Sequence, residues 1–365
     1  MGSSNGSDAR PLGMAVIGLG YWGPNLLRVL ADDADVSVRW ICDQNVERLA
    51  SCHRRFPATQ PTTVVEDVLE DPDVDAVVIA TPVFTHFDMA AASLSAGKHT
   101  FVEKPLAPSW RLADELIALA DRMDRVLACG HTFLYSPPVR AVKRMLEQRV
   151  LGDVYFVSSS RVNLGPYRRD VSVVWDLAPH DFSILLHWFG ETPTVLRATG
   201  RAALATGIAD VAFITMTFAS GMVANVELSW LAPSKLRRTV LVGSEKMVVY
   251  DDGATEPVRI FDQGIELGAP ESFGEHQLSY RTGDIVSPRI DTCEPLVGEL
   301  ADFARAARSG DPMRSQVQLA REVVWMTEAA EQSLNTGGAA VPLDAARQLG
   351  QAGELGQVRE QVDAP

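Results

Sequence analysis

The stretch MAVIGLGYWG, residues 14–23, decides the fold. A short apolar run ending at Ile17 leads into Gly18, Gly20 and Gly23, a G-x-G-x-x-G spacing. Such glycines let the backbone turn tightly, approach a pyrophosphate and pack the next helix on the sheet. The N-terminus of that helix then offers N–H groups to phosphate oxygens. Glycine spacing alone is a weak signal, so its surroundings decide. Outward from it, the runs VSVRWICD (36–43), VDAVVIATP (74–82), KHTFVEKP (98–105) and VLACGHTF (126–133) alternate with helix-length segments. Strands separated by single helices predict βαβ units and a parallel sheet. Consecutive apolar positions in VDAVVIA and VLAC predict strands covered on both faces. Ser109 is placed to N-cap a helix over WRLADELIALADRM, and Gly97 to end the preceding one. The second run ends at Asp43, 20 residues after Gly23. A carboxylate there accepts hydrogen bonds from the adenosine ribose hydroxyls and repels a 2′-phosphate, which favours NAD over NADP. Asp43 can instead cap the helix beginning near Asn45, or do both.

At 365 residues, 46% hydrophobic and 22% charged, the chain can bury the cores of two domains. A net charge of −14 with no large Lys/Arg cluster argues against a nucleic-acid partner, because phosphate binding needs a basic patch. No apolar run approaches the ~18 residues that span a bilayer, so no membrane partner is expected. The opening MGSSNGSDARP has neither a basic nor an apolar signal segment, and residues 1–12 read as a flexible lead-in. Cys42, Cys52, Cys129 and Cys293 show no metal-ligand spacing, and three of them lie in or beside apolar runs. Reduced thiols in a cytoplasmic setting fit that pattern. No His/Asp/Glu set has zinc spacing either, so no metal is expected.

Beyond Pro137 the alternation stops. A helix from about 138 to 148 is followed by the runs VYFVSSSRVN, TVLRATGRAAL, DVAFITMTF, MVANVELSWL, RTVLVGS and KMVVYDD with short turns between them. These predict a large open, mainly antiparallel sheet. The nearly continuous apolar run DVAFITMTF predicts a strand covered on both sides, and with it a homo-oligomer. Within VSVVWDLAPHDFSILLHWFG (171–190), Asp176 and His180 are four residues apart. On a helix this puts a carboxylate and an imidazole on one face, where the Asp can orient the ring and raise its basicity. In isolation the same spacing equally describes a surface ion pair. Asp181 can serve the helix start or bind substrate, and His187 packs in the helix. The segment 163–169 offers Asn163, Tyr167 and Arg168 to hydroxyls or an anionic group, or stands as a solvated loop. PESFGEHQLSYRTGDIVSPRI (270–290) reads as turn-rich, with His276 a loop residue, and Glu294–Arg308 and Ser315–Thr336 have helical periodicity.

Taken in order, GLGYWG, Thr81-Pro82, His86, Glu103-Lys104-Pro105 and D-x-x-x-H resemble the Gfo/Idh/MocA family, which includes glucose-fructose oxidoreductase and inositol dehydrogenase. The resemblance implies an α/β Rossmann domain over 13–135 and an α+β domain for substrate and oligomerisation over 136–340, with a tail over 341–365. It implies that Gly18, Gly20, Tyr21, Trp22, Gly23, Asp43, Thr81, Pro82, His86 and Glu103 hold NAD. For His86 a helix-start residue with no part in proton transfer stays open. It further implies that Lys104 bonds the reacting oxygen, that the Lys104–Pro105 bond is cis, and that His180, oriented by Asp176, moves the substrate proton. The function implied is oxidation of a secondary alcohol on a sugar, sugar nucleotide, cyclitol or glycosylated metabolite, or reduction of the matching ketone, by a dimer or tetramer. A redox-neutral reaction through tightly held NAD and a non-enzymatic NAD-binding regulator are the alternatives. Two stretches depart from the family pattern: RRDVSVVWD replaces a glycine-rich run, and Leu134 stands where relatives carry Arg.

Overall fold

The computed structural model describes residues 10–165, 167–168, 170–204, 207–267 and 278–343. The chain forms two compact units, Met1–Tyr135 with Cys293–Val324, and Ser136–Thr292 with Trp325–Pro365. The first break falls at Tyr135, but the second unit is not contiguous. The expected single run over 136–340 is corrected, because residues 293–324 return to the first unit.

The first unit contains β1 (Leu12–Ile17), α1 (Gly23–Asp32), β2 (Val36–Cys42), α2 (Val46–Arg55), β3 (Gln60–Thr62), α3 (Val65–Glu70), β4 (Ala76–Ile79), α4 (His86–Ser95), β5 (His99–Glu103), α5 (Trp110–Met123) and β6 (Leu127–Gly130). Its strands are parallel, in the order β3-β2-β1-β4-β5-β6. The order reverses between β1 and β4, and doubly wound sheets bind ligands at the carboxyl ends of the strands beside such a reversal. Every residue of β1, β4 and β6 is buried. Short β3, the tripeptide QPT, has no apolar pattern and is not legible in the sequence. Local chemistry sets the helix ends. The Ser109 side chain accepts the Leu112 N–H at 3.3 Å, the Asn45 side chain accepts the Arg48 N–H at 2.9 Å, and Gly97 past α4 takes φ +74°.

The returning segment supplies α8 (Pro295–Ser309) and begins α9 (Arg314–Asn335). The reason it joins this unit is apolar: Leu296, Leu300 and Phe303 of α8 lie in one core with Leu26, Leu30, Val78 and Phe101, and the Phe101 and Phe303 rings sit 5.6 Å apart.

The second unit contains α6 (Pro137–Glu147), β7 (Val154–Leu164), α7 (Val173–Phe189), β8 (Val195–Arg201), β9 (Val211–Thr217), β10 (Val223–Ser229), β11 (Leu231–Gly243), β12 (Met247–Asp251), β13 (Val258–Leu267), β14 (Leu278–Val286) and β15 (Val341–Pro342). These strands form one sheet, β14-β13-β12-β11-β7-β10-β9-β8-β15. It is mainly antiparallel, with β7 and β10 paired in parallel. Helix α7 packs on β7, β9 and β10, burying Phe182, Leu185 and Trp188. The Trp188 indole N–H donates to the Val139 carbonyl at 2.9 Å and its ring meets Tyr250 edge-on.

Strand β9 alternates, with Ala212, Ile214 and Met216 buried and Phe213 47% exposed, so the single chain covers one of its faces. Two expectations are corrected here. The turn-rich reading of 270–290 fails over Leu278–Val286, which pairs with β13; His276 lies outside the described residues. Where a tail was expected at 341, Val341–Pro342 pairs with β8 and Leu343 is buried. The rest of that tail, and residues 1–9 of the lead-in, are outside the described residues.

Candidate active site

The glycine loop follows β1. Gly18 has φ +95°, and a Cβ there would lie 2.6 Å from the Ala80 backbone; a Cβ on Gly23 would lie 2.0 Å from the Gly18 carbonyl oxygen. Neither position admits a side chain. A Cβ on Gly20 would meet only the Arg48 guanidinium, at 4.0 Å, so the backbone there is open to a ligand. Tyr21 is 92% exposed, and no side chain caps α1 at Trp22. Asp43, at the end of β2, accepts the Leu19 N–H at 2.6 Å and the Asn45 N–H at 2.7 Å. It therefore ties the loop to the second strand, while Asn45 is the residue that caps α2. A side-chain-free loop, an uncapped helix start and a carboxylate at the second strand end fit a dinucleotide.

Beyond β4, the Thr81 hydroxyl lies 2.7 Å from that of Thr85, whose oxygen is also 2.8 Å from the Pro82 carbonyl. His86 is 1% exposed, its ring nitrogens 2.8 Å from the Pro105 carbonyl and 2.9 Å from that of Thr81. It clasps the turn after β4 to the turn after β5. Lys104 follows β5, and the Lys104–Pro105 bond is cis.

Behind Lys104 lies a buried polar cluster. Burial pushes the Glu103 carboxyl up to about 7, against the opposing pull of the Lys104 charge, the Lys104 backbone N–H and the Trp22 indole N–H. Burial, then the Lys104 charge, drives His131 down to about 3. Glu299 of α8 is raised well above the usual carboxylate range by burial and by Glu103. His131 and Glu299 escape a sequence reading, since Glu299 looks like any polar residue of a helix until α8 is seen to return.

In the second unit, Asp176 and His180 lie one turn apart on α7. The Asp176 carboxylate accepts the Trp230 indole N–H at 3.0 Å, and the Arg168 guanidinium stands 3.6 Å from its other oxygen. Arg168 also pairs with Asp170 at 2.6 Å, a hydrogen bond that holds Asp170 below and Arg168 above their ordinary values. The Tyr167 ring meets Trp230 at 5.4 Å, and its hydroxyl is buried with no partner. Asn163 is half-buried at the end of β7. Asp181 departs from the substrate role considered for it. It is 3% exposed, accepting from Arg161 at 2.5 Å and Ser159 at 2.8 Å, so its carboxylate is spent in the core. His187 is half-buried in α7, its basicity lowered by burial and then by Lys143. Trp230, at the junction of β10 and β11, gives no signal in the sequence because an indole in an apolar run reads as core.

Among the described residues, no three His, Cys, Asp or Glu side chains converge as a metal site, and no helix is long and apolar enough to cross a membrane. Residues 12–131 match an oxidoreductase family with an NAD-binding Rossmann fold, and residues 139–249 match the GFO/IDH/MocA C-terminal domain. UDP-N-acetylglucosamine 3-dehydrogenase of Acidithiobacillus ferrooxidans is 32% identical over 244 residues, 65% of this chain and 72% of that one. Myo-inositol 2-dehydrogenase of Thermotoga maritima is 22% identical over 331 residues, 88% of this chain and 96% of that one. Among solved structures, GenD2 from gentamicin A biosynthesis in complex with NAD aligns with a TM-score of 0.77 at 26% identity, over 94% of this chain and 99% of that one. With both halves matched in order, the chain belongs to the GFO/IDH/MocA family of NAD-binding oxidoreductases.

Proposed function

We propose that this protein is an NAD-dependent dehydrogenase that oxidises a secondary alcohol of a sugar, sugar nucleotide, cyclitol or glycosylated metabolite, or reduces the matching ketone. The observation that carries this reading is the placing of Asp176 and His180 one turn apart on α7, with the Asp176 carboxylate accepting the Trp230 indole N–H. A carboxylate held in that way orients an imidazole and stabilises its protonated form, as an acid/base catalyst near neutral pH requires. The substrate classes named for the similar dehydrogenases of A. ferrooxidans and T. maritima support the choice of a polyhydroxylated substrate.

NAD, held by the glycine loop and Asp43, supplies the hydride acceptor. In the proposed reaction the Lys104 ammonium donates a hydrogen bond to the substrate oxygen and stabilises the negative charge that grows there. His180 takes the hydroxyl proton during oxidation and returns it during reduction, with Asp176 fixing the ring. Asn163, Tyr167 and Arg168 are proposed to contact substrate; Asp181 is left out because its oxygens are engaged by Arg161 and Ser159. Asp43 favours NAD over NADP by repelling a 2′-phosphate. The exposed face of the sheet around Phe156, Phe213 and Val223 is read as a subunit contact of a dimer or tetramer. Free thiols at all four cysteines, three of them buried, agree with a cytoplasmic setting.

The test is titration with NAD and NADP, followed by absorbance of the reduced cofactor against sugars, inositols, nucleotide sugars and aminoglycosides. Reduction with one substrate class, lost in Lys104→Ala and in His180→Ala while NAD still binds, supports the reading. Tight NAD binding with full activity in both variants overturns the assigned chemistry, and NAD consumption-free conversion of a substrate replaces it with the redox-neutral reading.

A further inference from the structure

The cluster behind Lys104 holds two buried carboxyl groups and too few donors for both to be ionised. Glu103, at the end of β5, pairs in register with Gly130 of β6, and a Cβ on Gly130 would lie 3.0 Å from Glu103 Oε1. The carboxylate is thus seated against bare backbone, 9% exposed. Its Oε2 accepts the Lys104 N–H at 3.2 Å, and the Trp22 indole N–H also donates to it, while Oε1 has no partner. Glu299 is 2% exposed; Thr132 Oγ1 donates to its Oε2 at 2.7 Å, and its Oε1 has no partner. Between Cys129 of β6 and Thr132 lies His131, buried, with neither ring nitrogen partnered.

The groups facing this cluster are Glu103 and Lys104 from β5 and the turn after it, Cys129 from β6, His131 from the turn beyond, and Glu299 from α8. Trp22 reaches it from the glycine loop as a neutral donor. One turn along α8, Asp302 is satisfied separately by the Tyr135 hydroxyl at 2.7 Å and by Gln316 at 3.2 Å. Lys104 is the cation that acts on Glu103, His131 and Cys129. The charge that acts on Glu299 is that of Glu103, and like charges in one buried site force a proton onto one of them. The donors decide which. Glu103 receives a backbone N–H, an indole N–H and the field of Lys104, all of which favour its ionised form, whereas Glu299 receives a single hydroxyl.

We propose that Glu299 is still a protonated carboxylic acid at mildly alkaline pH, leaving Glu103 as the one anion beside Lys104, and that Glu299 is thereby a positioning residue for Lys104. Ionising Glu299 sets a second negative charge against Glu103, which drives Glu103 toward protonation and weakens its hold on the Lys104 backbone and on Trp22. This inference rests on the reading of Lys104 as the residue that meets the substrate oxygen, but its protonation state is measurable without substrate.

Infrared spectroscopy of the full chain at mildly alkaline pH, where Glu103 is ionised, reports the C=O stretch of a protonated carboxylic acid. The expected result is a deuterium-sensitive band present in the wild type and absent in Glu299→Gln. Thr132→Val keeps both carboxyls and is expected to shift the band rather than remove it, which covers the case of a variant that fails to fold. An amide mimics a protonated acid but cannot ionise, so Glu299→Gln is further expected to lose the alkaline limb of the pH–rate profile that ionisation of Glu299 causes in the wild type. No band in the wild type, or a band that survives Glu299→Gln, overturns the proposal. If the bands behave as expected but Lys104→Ala stays active, the protonation of Glu299 stands and the catalytic reading of Lys104 falls. If Lys104 is essential and the band is absent, the reverse holds.

Discussion

At the residue scale, much of the candidate site consists of side chains that hold the backbone in place. Asp43 spends its carboxylate on the backbone of Leu19 and Asn45, and His86 bridges two carbonyls. His131 shows what such burial does to a titrating group. With its basicity driven down to about 3 by burial and the Lys104 charge, it stays neutral in the folded chain while the unfolded chain takes up a proton below about 6.5. The folded state then binds fewer protons, so this residue lowers stability as pH falls from about 6.5 toward 3. Glu103, raised to about 7, acts in the opposite sense: its contribution is lost as pH rises from about 4.5 to 7. Between about 4.5 and 6.5 the two offset one another. In His131→Asn only the Glu103 trend remains, so the melting temperature of the variant relative to wild type is expected to rise as pH is lowered from 6.5 to 4.5. The driving change is about 1.4 kcal/mol per pH unit. A constant difference across that range, measured by thermal melts, would falsify the buried neutral state.

At the scale of elements, α7 sends neighbouring polar residues to different surroundings. One face presents Asp176 and His180; the next residue, Asp181, enters the core and pairs with Arg161 of β7. Arg161→Met removes the partner of a buried carboxylate and is expected to destabilise the second unit by about 3–5 kcal/mol, read as a lower urea midpoint. A loss well under 1 kcal/mol would mean that water reaches Asp181 in solution. On the other face, Trp230→Phe keeps an aromatic ring against Tyr167 but deletes the N–H that Asp176 accepts. Stability is expected to fall by only about 1 kcal/mol. Turnover is expected to fall roughly tenfold or more, a minor share of the 10²–10⁴ typical of a general acid/base. Steady-state kinetics at saturating NAD measure this, and unchanged turnover would separate Trp230 from the chemistry.

For the whole molecule, the returning segment is the main architectural fact. Leu296, Leu300 and Phe303 come from more than 150 residues beyond β6, yet they belong to the core of the first unit. Burying three such side chains contributes about 1.5–3 kcal/mol each, comparable with the ~5–15 kcal/mol net stability of a whole domain. A fragment ending at Tyr135 therefore lacks part of its core, together with Glu299. It is expected to show no cooperative melt and no NAD-induced rise in melting temperature, whereas the full chain shows both. Scanning calorimetry with and without NAD distinguishes them, and a cooperative NAD-stabilised melt of the fragment would show that α8 is dispensable.

The sequence by itself determined the parallel sheet, the glycine loop and the candidate pair on α7. The reason is that each rests on local periodicity: glycine spacing, consecutive apolar strands, and residues four apart on a helix. Helix ends at Ser109 and Gly97 were legible for the same reason, whereas the cap of α2 fell to Asn45 and not to Asp43. What only the tertiary structure decided concerns partners distant in the chain. Asp181 could bind a ligand until Arg161 was seen beside it, and Trp230 was one more apolar residue until its N–H met Asp176. The open face of β9 could not be told from a covered one by its apolar run. Glu299 gained meaning only when α8 folded back onto the first unit, since burial and charge coupling depend on which segments meet in space rather than on their order along the chain.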